Sequence, residues 1–304
     1  MTNPILVMVF VAFCVFNLTA QDMMNARQIT FNPAREGFPT WSPDGKYIVY
    51  QYTDMADTLG KNGLWKIALG DTSAEQIFKG VAEHPKWSPD GRYIVFDADT
   101  GQSTKMIPAE GGDPITFLPD TIHINKGGLP CWSPDGSQIA FKDHEYYLCI
   151  FDIETEKTTR VFREEGMLLL PGCWSVDGKY VLAALMDRES RKSTIWKISS
   201  DGKERKQITG HHENIYRYLA LSPDGSLLVY AAKEGRYLGF FVMFAEGGSS
   251  LPFAVTPEGH NEAPIWSPDG KQIAFSSSRG WNVDIWIMDV DIEQIKENLR
   301  AINN

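Results

Sequence analysis

The chain has 304 residues, 43% of them hydrophobic and 22% charged, which is the composition of a core-forming globular protein and not of a disordered one. Its 39 Asp and Glu outweigh 29 Lys and Arg, for a net charge of −10. That sign excludes binding driven by phosphate contacts, so neither nucleic acid nor an anionic membrane surface is an expected partner.

The first element reads as an export signal. Residues 5–16, ILVMVFVAFCVF, form an unbroken run of 12 apolar residues that ends in Asn17-Leu18-Thr19-Ala20-Gln21. Such a run suits a signal-peptide core and falls short of a membrane span, which needs about 20 residues. Cleavage is expected after Ala20, with residues 1–20 as the signal and Gln21 as the mature start. The segment before the run has no Lys or Arg, so an uncleaved anchor is the alternative. No later segment is apolar and long enough to span, and the expected location is the periplasm or the cell surface. Cys14 leaves with the signal. Cys131, Cys149 and Cys173 are too few for a disulfide scaffold and are expected as small buried hydrophobes.

From there one pentapeptide organises the chain. WSPDG begins at Trp41, Trp87, Trp132 and Trp266, with WSVDG at Trp174 and LSPDG at Leu221. The intervals are 46, 45, 42, 47 and 45 residues, the period of a solenoid or a propeller. Ser-Pro-Asp-Gly suits a type I turn closed by a glycine at positive φ, joining two antiparallel strands. Each turn is followed by a β-branched and aromatic run such as Tyr47-Ile48-Val49-Tyr50. A third strand comes about fifteen residues later (Leu64-Trp65-Lys66-Ile67, Ile195-Trp196-Lys197-Ile198, Ile285-Trp286-Ile287-Met288) and a short fourth follows a second turn. Four antiparallel strands per repeat, A to D, make a propeller blade. The tryptophan of strand A suits the contact between blades.

The expected fold is therefore all-β: a six-bladed β-propeller of four-stranded antiparallel blades over residues 21–290. Ala26-Arg27-Gln28-Ile29-Thr30 matches the fourth strand Arg205-Lys206-Gln207-Ile208-Thr209 and is expected to close the last blade, protecting its edge. Residues 291–304 place Ile292, Ile295, Leu299 and Ile302 at helical spacing, which predicts a short C-terminal helix lying on the propeller. No length is expected to remain for a second domain.

These residues resemble the WD-like β-propeller repeats of the TolB family, over roughly residues 26–290. The last copy, Ala263-Pro264-Ile265-Trp266-Ser267-Pro268-Asp269-Gly270 with Asp284-Ile285-Trp286-Ile287-Met288-Asp289, is the nearest in pattern. The resemblance implies a non-catalytic module that binds a protein or peptide; such a motif is specific for fold and poor for function. Similar repeats form the propellers of prolyl-oligopeptidase-type enzymes, but no Gly-x-Ser-x-Gly nucleophile elbow occurs in the chain, and serine peptidase activity is not expected.

Strand alternation puts the A–B and C–D turns on one face and the B–C and D–A loops on the other. The first set is short and uniform; the second is varied, and function concentrates in such loops. All six histidines are expected on the varied face: His84, His123, His211, His212 and His260 in D–A loops and His144 in a B–C loop. The expected ligand-binding residues are His84, His123, His211, His212, Glu213, Arg217, His260 and Glu262. The bland reading is a set of solvated polar loops. No pair has the spacing of a metal motif, so no cofactor is expected, with a divalent cation as the alternative. Asp97-Ala98-Asp99-Thr100-Gly101 lacks the further acidic ligands of a calcium loop and reads as a B–C connection. Arg188, Arg191 and Lys192 are interspersed with acids and read as a solvated loop. The expectation is an exported, monomeric binding propeller. The alternative is a carbohydrate-active propeller, a metal-assisted oligosaccharide lyase with histidines at the channel mouth.

Overall fold

The computed structural model describes residues 26–118, 122–124, 127–209, 217–254 and 259–303. The expected export signal lies outside the described residues, as do His211, His212 and Glu213.

Six four-stranded antiparallel sheets form the blades, each running outward in the order A-B-C-D. They span residues 35–79, 82–116, 131–162, 167–207, 217–254 and 261–289. The sixth takes its outer strand from Arg27–Gln28, with Arg27 opposite Ile287 and Gln28 opposite Trp286. The Ile29 N–H continues the ladder to the Ile285 carbonyl at 2.9 Å. The ring is thus closed by a strand from the other end of the chain, which removes an exposed edge.

The six turns are built alike. In each, the serine hydroxyl donates to the aspartate and accepts from the backbone N–H five residues on, as Ser42 does with Asp44 (2.6 Å) and Tyr47 (2.9 Å). The same pair of bonds recurs at Ser88, Ser133, Ser175, Ser222 and Ser267. Val176 and Leu221 therefore replace Pro and Trp without loss of the turn. The turn glycines have φ near +70°, as at Gly45 (φ 71), which is why glycine is required. A side chain at Gly91 or Gly136 would also touch the turn proline of the preceding blade, Pro43 or Pro89. The turns thus pack as a ring, and their uniformity is structural.

Between blades lie the tryptophans. The indole N–H of Trp41, Trp132, Trp174 and Trp266 donates to a carbonyl in the inner strand of the preceding blade (Ile265, Lys86, Cys131 and Ala220) at 3.1–3.2 Å. The C-terminal helix, Ile292–Asn303, begins at Asp291, whose carboxylate accepts the N–H groups of Glu293 and Gln294. It buries Ile295 and Leu299 into the core shared by blades five and six. Lys296 ties it to Asp224 in the blade-five turn at 2.8 Å. The helix therefore belongs to the uniform face.

Candidate functional site

The inner strands line a channel, and a backbone irregularity shapes it. Phe38, His84, Leu129, Tyr218 and Ala263 each stand three residues before the tryptophan (or Leu221) of their repeat, and each has φ between 52° and 54°. Left-handed backbone costs a non-glycine residue about 1–2 kcal/mol. At two of these positions a bond across to the preceding blade offsets that cost. The Phe38 N–H donates to Ser276 Oγ (3.0 Å) and the Leu129 N–H to Asp97 Oδ2 (3.0 Å). Both acceptors stand ten residues after the tryptophan of the preceding blade. In blade four the equivalent residue is Pro171, whose ring forbids positive φ; there the register slips between Pro171 and Cys173. Gly172 fills that gap because a Cβ would lie 2.5 Å from that of Leu219.

The bulges aim side chains at a cavity of about 270 Å³ lined by residues of all six blades. The Phe38 ring meets His84 at 4.3 Å and Tyr218, of non-adjacent blade five, at 5.6 Å between centroids. Prolines and Leu129, Leu170, Met186 and Leu219 make up most of the wall. At the rim Arg35 pairs with Glu262 at 3.1 Å. Burial, and next the Glu262 carboxylate, push the Tyr218 phenol above its ordinary pKa, while Arg217 and Arg35 oppose the shift.

His84 is held from behind. Its Nδ1 lies 3.0 Å from Oδ2 of Asp97, which is wholly buried. A carboxylate accepts, so His84 Nδ1 is the donor of this pair. Asp97 also takes the Gly128 N–H (2.7 Å) and the Thr104 hydroxyl (3.2 Å). A Cβ at Gly127 or Gly128 would run into Asp97 or Thr104, which explains two adjacent glycines there.

The structure corrects the expected place of His84. It lies in the inner strand Ala82–Trp87, not in a D–A loop, because the bulge draws it into the channel wall. Asp97 likewise lies within strand B of blade two, Tyr93–Ala98, and Asp99–Gly101 begins the connection. Two of the expected residues, His84 and Arg217, line the cavity, and Glu262 pairs with Arg35 beside it. The other two described ones stand apart. The His123 ring packs edge-on against His144 at 5.6 Å, and the His123 carbonyl accepts the His144 N–H. His260 Nδ1 accepts the Leu238 N–H at 3.1 Å, with its ring against Tyr237. Among the described residues no three His, Cys, Asp or Glu side chains converge as metal donors, and these engagements are the reason: the histidines are bonded in three separate places. The sequence reading missed Phe38, Lys86, Leu129 and Tyr218 as channel residues; the available signal was their fixed offset from each repeat's tryptophan.

No protein-family model matches the chain. An uncharacterised protein of Agrobacterium fabrum is 28% identical over 282 residues, covering 86% of this chain and 90% of that one. The Tol-Pal system protein TolB of Francisella tularensis is 28% identical over 98 residues, 32% of this chain and 22% of its own length. Among solved structures, a candidate TolB from Agrobacterium tumefaciens shares the fold with a TM-score of 0.64 at 20% identity, covering 88% of this chain and 94% of that one. An oligogalacturonate lyase in complex with manganese does so with a TM-score of 0.59 at 15% identity, covering 88% and 93%. At these structural identities the likeness establishes the fold, a TolB-like six-bladed propeller.

Proposed function

We propose that this TolB-like propeller is a non-catalytic binding module of the periplasm or cell surface that holds a protein or peptide over its varied face. The observation that carries this reading is the channel mouth. An apolar cavity opens under a rim of Arg35, Arg217 and Glu262, and apolar walls with a few placed polar groups are the usual make-up of a binding site. The opposite face is occupied by the ring of turns and the helix. Two wholly or largely exposed apolar side chains on B–C loops, Trp281 (103%) and Met55 (101%), add contact surface on the varied face.

A second reading, a metal-assisted oligosaccharide lyase, draws support from the fold shared with an oligogalacturonate lyase. The described histidines do not form a donor set for it, for the reasons given above.

The test uses two sets of variants in capture of partners from the native periplasm. One carries Arg217→Ala, His260→Ala and Glu262→Ala; the other carries Lys46→Ala and Lys271→Ala beside the uniform turns. Capture is expected to fall at least about tenfold in the first set and to hold in the second. Loss in the second set alone contradicts the reading, and a stoichiometric divalent metal in the purified protein moves the weight to the lyase.

A further inference from the structure

We propose that the channel is a carboxylate receptor, in which Lys86 pairs with the C-terminal carboxylate of an apolar peptide end that enters past Phe38 and Tyr218. The inference rests on the binding reading and names the chemistry of its ligand.

The first observation is charge. The protein as a whole carries −10, yet the charged residues lining the cavity are Lys86 and Arg217, with no Asp or Glu. The second is that Lys86 has no counter-ion. The two buried lysines elsewhere are engaged: Lys66 lies 2.8 Å from both Glu75 and Glu110, and Lys142 donates to the Gly127 carbonyl. Among the described residues no hydrogen bond or ion pair reaches the Lys86 ammonium. Its electrostatic neighbours are the thiols of Cys131 and Cys173. Burial pushes each of these up to about 12, so both are neutral and supply no opposite charge. The same burial pushes the Lys86 amine below its ordinary value. Lys86 is half-buried in the cavity wall, and a cation kept in a cleft without a counter-ion marks a site.

Geometry sets the rest. Lys86 follows His84 by two residues along the inner strand, which places it about 6–7 Å deeper than the ring layer. A volume near 270 Å³ holds about one residue, not a folded segment. The wall offers Leu129, Leu170, Met186 and Leu219 and few hydrogen-bonding groups. A sugar acid would bury hydroxyls there without partners, whereas an apolar terminal residue would not. An entering carboxylate supplies the opposite charge that the Lys86 ammonium lacks.

The experiment is a titration of protein labelled with ¹³C-lysine, read at the Lys86 Cε resonance, which is assigned by its loss in Lys86→Met. The probes are N-acetylleucine, N-acetylleucinamide, the α-amide of N-acetylglutamate and digalacturonate. N-acetylleucine is expected to move the resonance saturably, and N-acetylleucinamide to leave it in place. Lys86→Met is expected to lose the carboxylate preference and, by removing an unpaired cation, to raise the melting temperature. An unmoved resonance, or equal effects of acid and amide, overturns the proposal. Tighter binding of the glutamate amide or of digalacturonate overturns the C-terminal occupant. Partner capture that still depends on Arg217 and Glu262 in that event leaves the binding reading standing and removes only the carboxylate.

Discussion

Asp97 illustrates how much one buried side chain can hold in this fold. It binds two backbone N–H groups, a hydroxyl and His84, across the seam of blades two and three. Asp97→Ala orphans those donors, and a loss of about 3 kcal/mol in urea unfolding is expected, with His84 released from its orientation. An unchanged unfolding midpoint would show that the pairing carries no weight. At the other seam, Asp284 is 4% exposed, and burial pushes its carboxyl from 3.8 to about 6. Glu36, beside it, is raised mainly by burial too. A carboxyl with a raised folded pKa holds its proton more tightly in the folded state. Its favourable contribution is full below about 3.8 and is lost as pH rises through about 6. Asp284→Asn is therefore expected to raise the melting temperature at neutral pH and to flatten its fall between about pH 4 and pH 6. Melts across that window check this, and a variant with the parent's profile contradicts it.

The turns, the inner strands and the helix were not equally legible. Each Ser-Pro-Asp-Gly turn repeats because side chains do its work: a hydroxyl, a carboxylate and a glycine must stand in fixed places. The left-handed residue three before the tryptophan (or Leu221) recurs in five of the six blades, yet its occupants are Phe38, His84, Leu129, Tyr218 and Ala263. There the fold requires a backbone state and leaves the side chain free to vary, so no residue pattern announces the channel. Only the prolines that follow four of them, Pro39, Pro85, Pro130 and Pro264, mark the place. Distances between histidines on different blades depend on bulges and loop paths, which is why His123 and His260 proved remote from His84. The helix was readable because its apolar positions have a period. Leu299 is fully buried within it, and Leu299→Ala is expected to cost about 3 kcal/mol by leaving a cavity between blades five and six. A variant as stable as the parent would mean that the helix merely rests on the surface.

At the scale of the whole ring, closure depends on a few residues from the other end of the chain. Removing residues 21–31 strips blade six of its outer strand, and a fall in melting temperature of at least about 5 °C is expected; an unchanged value contradicts the shared blade. The closed ring divides the molecule into a face spent on its own stability and a face whose loops differ blade by blade. The central claim is that the partner sits on the second. It is tested most directly by a photo-crosslinking amino acid placed in the native host at Arg35 on the channel rim or at Lys46 beside a turn, both side chains being well exposed at 47% and 74%. The account predicts a discrete protein adduct from position 35 and none from position 46. Adducts from position 46 alone would contradict it.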